Sequence, residues 1–250
     1  MRRGRLAEYA YEYTKRLLFD GTLTPGAKLR VEDVVASLHT SRQPVMDAFK
    51  RLAAEGFLEI TPQVGCRVVV PGADEIADFF LILGAVQGLA ADIAADRRTP
   101  EELARLNAIV VEIDALVAES PVSGDFQRYR RLDHLFQQQI RAMGHSETVA
   151  HLAGGLLDRR DFYITCIPNG EQVYAERMCE ARGEHRAVVD AIAERNAEAA
   201  RARTEALVLT LGRFALGRPI AAAAPTPVPV ATPVPRPTLA RTLTASFTPA

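Results

Sequence analysis

The sequence predicts a mainly α-helical protein in three parts: a winged helix-turn-helix head, an antiparallel helical bundle and a disordered tail. Three observations predict this. Apolar residues up to about position 55 recur at helical spacing, then give way to two short strand-like runs around Pro62-Gln63-Val64-Gly65. From Gly72 to Arg218 alanine is dense, helix breakers fall at intervals and strand signals are absent. After Arg218 the chain is mostly Ala, Pro, Thr and Val, with no acidic residue and repeated X-Pro steps that forbid regular structure. The expected divisions are 1–71, 72–218 and 219–250.

Each element has a local reason. Leu6, Tyr9, Ala10, Tyr13 and Leu17 trace one face of a first helix, ended by Gly21 and the Thr24-Pro25-Gly26 turn. Val31–Leu38 makes a short second helix with Val34, Val35 and Leu38 inward. Ser41 is placed to cap a third helix, with Pro44 in its first turn, where a missing N–H costs little. Val45, Phe49 and Leu52 form its buried stripe, and Gly56 stops it. Phe57–Ile60 and Cys66–Val70 read as the two wing strands. In the bundle, six helices are expected over 74–96, 100–118, 125–143, 146–166, 171–195 and 197–217. Thr99-Pro100-Glu101-Glu102 is a capping box, and Gly144 and Asn196 mark further boundaries.

Composition narrows the function classes. Residues 1–70 hold 11 Lys/Arg against 8 Asp/Glu, whereas 71–218 hold 17 against 23. A mildly basic head on an acidic body suits DNA binding in front of a regulatory body. Cys66, Cys166 and Cys179 have neither metal-site spacing nor an even count, which points to free thiols in a reducing compartment, the cytoplasm. No run approaches the ~18 uncharged apolar residues of a membrane span, and a charged helix follows the early arginines, unlike a signal peptide. No nucleophile–base motif, phosphate loop or complete metal set points to an enzyme.

A helix presents its first turn to base edges in the major groove. Thr40, Ser41, Arg42, Gln43 and Met46 occupy that turn. Arg42 can pair with guanine or a phosphate, and Gln43 with adenine. Arg30, Lys28, Lys50 and Arg67 are placed to hold phosphates, and Gly65 lets the wing tip approach the minor groove.

This head resembles the N-terminal domain of GntR-family bacterial transcription regulators. The matching residues are Gly21, Leu23, Pro25-Gly26, Leu29, Glu32, Ala36, Leu38, Ser41-Arg42, Pro44-Val45, Ala48, Arg51-Leu52, Glu55-Gly56, Gly65 and Val68. The resemblance implies a homodimer on a pseudo-palindromic double-stranded DNA operator, with Arg42 a DNA contact and Gly65 the wing-tip glycine. Met46 departs from the family pattern, standing where a base-contacting arginine is expected, and Asp47 replaces a glutamate.

The body resembles the FCD type, the effector-binding domain of the FadR subfamily. Leu89-Ala90-Ala91, Ala94-Ala95, Thr99–Leu103, Asp133, Phe136, Gly144 and Glu184–Ile192 carry the likeness. Most members hold a divalent metal through an aspartate, a histidine four residues on, the histidine of a Glu-His motif and one on the last helix. Asp133 and His185 match; Gln137 and Leu207 stand at the other two positions. Such a degenerate set would hold Zn²⁺ or Mn²⁺ weakly. Asp133, Gln137, His185, Phe136 and Tyr129 are instead expected to anchor a small-molecule effector. The family's Arg-x-x-x-Glu pair falls on Leu83 and Gln87, which tilts the expected effector toward a less anionic or more apolar molecule. The leading function is a ligand-responsive transcription regulator, in the repressor class. The alternative is a ligand-independent DNA-binding or protein-interaction module with a degenerate effector pocket.

Overall fold

The computed structural model describes residues 3–61, 65–119, 125–167, 173, 176–177 and 183–217. The wing-tip residues Pro62, Gln63 and Val64, along with Met178, Cys179 and the 219–250 tail, lie outside the described residues. The elements run α1 (Arg3–Phe19), β1 (Lys28–Leu29), α2 (Val31–Leu38), α3 (Arg42–Ala54), β2 (Leu58–Thr61), β3 (Gly65–Val68), α4 (Ala73–Arg97), α5 (Pro100–Glu119), α6 (Phe126–Met143) and α7 (Glu147–Cys166). Two further helices follow, here α8 (Glu184–Ala193) and α9 (Ala197–Leu216).

In the head, α3 packs against α1, α2 and β2. Ser41 is extended at the start of α3, but its side chain makes no capping hydrogen bond. Pro44, Val45, Ala48, Phe49 and Leu52 are buried, and Gly56 ends the helix at φ +82°. Two expectations are corrected. The first helix buries Ala10, Tyr11, Thr14 and Leu18, whereas Tyr9 is 55% exposed. Its inward face is turned because polar groups are satisfied inside: Thr14 donates to the Ala10 carbonyl and Tyr11 to the Glu55 carboxylate. The sheet also has a strand the sequence hid. β1, two residues long, pairs antiparallel with β3, which pairs with β2 in the order β1-β3-β2. Leu29, Leu58, Cys66 and Val68 point inward; Lys28 and Glu59 flank Arg67 on the outer face.

In the body α4 is central, touching α6, α7, α8 and, most extensively, α9. Gly84 and Gly88 lie against Leu209 and Glu205, so α4 and α9 run antiparallel at close approach. The Thr99/Glu102 capping box forms in both directions, at 2.9 and 3.3 Å. Asp125, Ser146 and Asn196 cap α6, α7 and α9 by accepting a backbone N–H. The expected single helix over 171–195 is corrected. Gly183 sits at φ +78° as the N-cap of α8, a conformation a helix interior cannot contain. Among the described residues α4 alone is long and apolar enough to cross a bilayer, and half of that stretch is buried in the bundle.

Candidate functional site

Two places concentrate the residues the sequence singled out. The first is the outer face of the head. Ser41, Arg42, Gln43, Lys50, Gly65, Arg67 and Arg30 are all exposed, and Thr40 is half-buried. Between the first turn of α3, the start of α2 and the wing lies an open groove of about 620 Å³, lined in part by Arg30, Glu32, Arg42, Met46, Thr61 and Gly65. The turn that sets up α3 is tight: His39 is left-handed at φ 48° and the Thr40 N–H donates to the Val35 carbonyl.

The tip of α3 is charged but internally engaged. The Arg42 guanidinium donates to the Glu32 carboxylate of α2, and the Gln43 amide donates to Asp47 at 2.8 Å. The backbone N–H of Glu32 itself, then Arg42 and Arg30, hold the Glu32 carboxyl below its ordinary value. An exposed pair like this contributes little stability. What it does is aim Arg42 toward the groove until a stronger anion competes for it. Met46 is partly buried on the groove wall, where it offers no hydrogen-bond donor.

The second place is the core of the bundle. Asp133 and Gln137 on α6, Arg160 on α7, His185 on α8 and Leu207 on α9 converge there, with Arg177 from the described part of the 173–177 stretch. Asp133 is the hub. Its Oδ2 accepts from Arg160 Nη1 at 2.6 Å, and its Oδ1 from His185 Nε2 at 3.2 Å. Burial alone would raise the Asp133 pKa; the Arg160 guanidinium, with His185 and Arg177, outweighs it and holds the carboxyl well below the usual range. Asp161 behaves the same way, held low by Arg160 and His134 against the effect of burial. Asp133 is thus ionised, so its Oδ1 accepts from the His185 Nε2–H. Phe136 packs edge-on against the His185 ring at 4.8 Å and fixes its plane.

Tyr129, Asp133, Gln137, Arg160, Arg177, Leu207, Val208 and Leu211 enclose a cavity of about 10 Å³, the room of a single water centre. Several polar groups around it have no hydrogen-bond partner among the described residues: the Tyr129 hydroxyl, the Gln137 carbonyl and Arg177 Nη1. Arg177 Nη2 is bound to Glu184 at 2.6 Å. The sequence pointed to Asp133, Gln137, His185 and Tyr129 but missed Arg160 and Arg177. Arg160 sits in the charged run Asp158-Arg159-Arg160-Asp161, which reads as a solvated face; one turn of α7 in fact carries it 1% exposed into the core. The expected tilt toward a less anionic or more apolar effector rested on Leu83 standing where an arginine would; Arg160 and Arg177 bring two guanidiniums to the cavity from elsewhere in the fold.

The residues do not fit a divalent metal. Each Asp133 oxygen already accepts a buried hydrogen bond and its charge is met by Arg160, Leu207 lines the cavity where a further ligand would stand, and Gln137 offers only an amide. Among the described residues no group of three or more His, Cys, Asp or Glu is arranged to hold a metal ion.

Head and body meet at α7. Lys15 of α1 donates to Asp158 at 2.7 Å. Arg159 donates to Tyr163 and to Glu75 of α4, and its guanidinium lies under Gly56, about 3.0 Å from where a Cβ would be. A ladder of edge-on rings continues the contact: Phe19–Phe57 at 5.6 Å, Phe57–Phe162 at 5.2 Å and Phe79–Tyr163 at 4.8 Å. The aromatic residues of the bundle thus divide. Tyr129 lines it and Phe136 backs His185, while Phe79, Phe162 and Tyr163 join head to body.

Comparison with known proteins covers both regions of the chain. Residues 6–68 match the model described as bacterial regulatory proteins, gntR family, and residues 78–209 match the FCD domain. The HTH-type transcriptional regulator YdhC of Bacillus subtilis is 22% identical over 191 residues, spanning 76% of this chain and 82% of that protein. A probable D-xylose utilization operon transcriptional repressor of Paenarthrobacter nicotinovorans is 33% identical over 94 residues, 38% of this chain and 42% of that one. The solved structure of McbR/YncC of Escherichia coli superposes with a TM-score of 0.65 at 20% identity, covering 81% of this chain and 93% of that one, which places the fold. With the FCD match spanning more than half of its length and the GntR match its head, this chain belongs to the GntR family of transcription regulators, in the branch that carries an FCD domain.

Proposed function

We propose that this regulator is an effector-responsive repressor: residues 1–71 bind operator DNA, and residues 72–218 dimerise and receive a small molecule that loosens the heads from it. It works in the cytoplasm, as a homodimer on two half-sites. Arg42, with Ser41, Thr40 and Gln43, reads the major groove; Arg30, Lys50 and Arg67 hold phosphates; Gly65 brings the wing close. Asp133, Gln137, His185, Phe136 and Tyr129 form the effector site. The observation that supports this most is the sequence of contacts on α7. Asp158 holds the head through Lys15 and Arg159 packs under Gly56 of the head, while the next two residues, Arg160 and Asp161, join in the ion pairs behind the cavity. A ligand larger than a water cannot enter the closed cavity, so it selects a bundle in which α7 has shifted.

The test is DNA binding by the full chain to the promoter region upstream of its own gene, followed by fluorescence anisotropy over a range of salt. Arg42→Ala should weaken binding about tenfold or more, the worth of a lost base or phosphate contact. Equal affinity of the variant and the parent would overturn the assignment of α3 as the reading helix.

A further inference from the structure

We propose that Met46 reads a thymine: its side chain takes the C5-methyl group of one pyrimidine in each half-site, and this apolar contact sets the base at that position. The proposal rests on the operator reading above, in which α3 enters the major groove, and names the base that one side chain meets there.

Three observations carry it. The first is where Met46 stands. Arg42, Met46 and Phe49 are the α3 side chains that line the open groove of the head. Phe49 is fully buried and cannot reach a base. Met46 follows Arg42 by one turn, so the two share a face of the helix. It packs on the core of the head and keeps part of its surface in the groove.

The second is what surrounds it. Leu29, Val31, Phe49 and Cys66 give the groove a buried apolar lining, while Arg30, Glu32, Arg42 and Thr61 line it as exposed polar residues. Met46 and Ile60 are its partly exposed apolar residues. On the major-groove edge of a base pair the apolar feature is the thymine C5-methyl. The other bases present donors and acceptors there, which a methionine would desolvate without pairing. The thioether has no donor and is a weak acceptor, and its unbranched chain adapts to the shape it meets.

The third is what the neighbours must give up. Arg42 donates to Glu32, and Gln43 donates to Asp47. Each must leave a carboxylate before that donor can serve a base, so the gain from the base edge is reduced by the partner lost. Met46 displaces only water. Arg42 and Gln43 therefore add affinity, whereas Met46 adds identity at one base pair.

The experiment uses the full-length chain and selects bound duplexes from a randomised pool. The parent should enrich a motif with thymine at one position of each half-site. Met46→Ala should lose the preference there and keep the rest of the motif. Deoxyuridine in place of that thymine removes the methyl and keeps the O4 acceptor. It should weaken the parent about fourfold per half-site, the worth of one buried methyl, and leave Met46→Ala unchanged. Thymine and 5-methylcytosine carry the same methyl, so 5-methylcytosine at this place should bind the parent better than cytosine does. Met46→Leu, apolar and of similar size, should keep the thymine preference. Met46→Ala should match the parent in affinity for unrelated duplex and in salt dependence, because neither rests on a methyl contact. Damage to the head would instead lower binding to every sequence alike.

The proposal is overturned if parent and Met46→Ala enrich the same motif, if deoxyuridine serves as well as thymine throughout the motif, if 5-methylcytosine gains nothing over cytosine, or if Met46→Ala weakens all duplexes equally. A parent that enriches no duplex sinks the operator reading and this one with it. A clear motif that is indifferent to the side chain at position 46 sinks this one alone.

Discussion

Asp133 is a single carboxylate on which three helices depend, and its stability contribution has a definite pH signature. Its folded pKa is held below the unfolded value of about 3.9. A depressed carboxylate contributes stability that is fully present above the unfolded pKa and is lost as pH falls toward the folded one. Asp133→Ala takes one of two carboxylate partners from the buried Arg160, leaving it Asp161, and should cost about 1–3 kcal/mol at neutral pH. In urea titrations the gap between variant and parent should be flat above about pH 5 and narrow below about pH 4. A gap that widens on acidification would show that Asp133 is not the ionised partner. Asp133, Gln137 and His185 were legible in the sequence because the resemblance to the FCD type marks those positions. Arg160 and Arg177 were not. An arginine's long stem can reach the core from a position that looks solvent-facing, and spacing says nothing about where its tip goes. The same limit applies at the DNA face, where Arg42 was legible but its pairing with Glu32, ten residues earlier, depended on how α2 and α3 cross.

At the scale of elements, helices with capping signals were read closely, since the Thr99/Glu102 box and the Ser146 and Asn196 caps are local chemistry. β1 was not, because two residues give no alternation to read and the strand exists only through pairing with β3. α7 is the element on which the proposed regulation turns. Burial tends to lower the Lys15 pKa, but Asp158 and Tyr11 outweigh it and hold the ammonium above its ordinary value, so Lys15 stays charged against α7 throughout the neutral range. Arg159→Ala together with Asp158→Asn removes the guanidinium packed under Gly56 and the Lys15 ion pair, the head's ties to α7, and leaves Arg160 in place. Such a variant should bind effector with unchanged affinity and bind DNA, yet lose most of the effector-induced change in DNA affinity, a coupling of about 1–3 kcal/mol. Unchanged coupling would move the transmission from these ties to the aromatic ladder. Gly56→Ala tests the same joint from the head: φ +82° costs a non-glycine residue roughly 1–2 kcal/mol, and the new Cβ presses on the Arg159 guanidinium. Its Tm should fall, and further than for Gly21→Ala, where φ is +76° but nothing lies within reach.

At the scale of the whole molecule, one face is left over. α4 turns Gly84 and Gly88 toward α9 and buries Phe80, Leu83 and Ala91, but Ile82 is 56% and Leu89 43% exposed. Seven residues apart, they lie on one stripe with the exposed Ala85 between them. An apolar stripe on the central helix suits a second copy of the same chain, because a two-fold interface places the same patch on both partners. Two heads held this way can span half-sites about one helical turn of DNA apart, which a lone head cannot do. Ile82→Glu with Leu89→Glu should leave the fold intact, since neither side chain is in the core, and convert the protein to a monomer in sedimentation velocity. The monomer should bind a single half-site as the parent's head does, but lose the gain in affinity that a second half-site confers, and its salt dependence should fall by about half as half the phosphate contacts go. If the double variant still sediments as the parent does, the dimer face is not on α4, and the exposed apolar residues of α5, α6 and α7 — Val111, Leu135 and Leu152 — become the surfaces to substitute next.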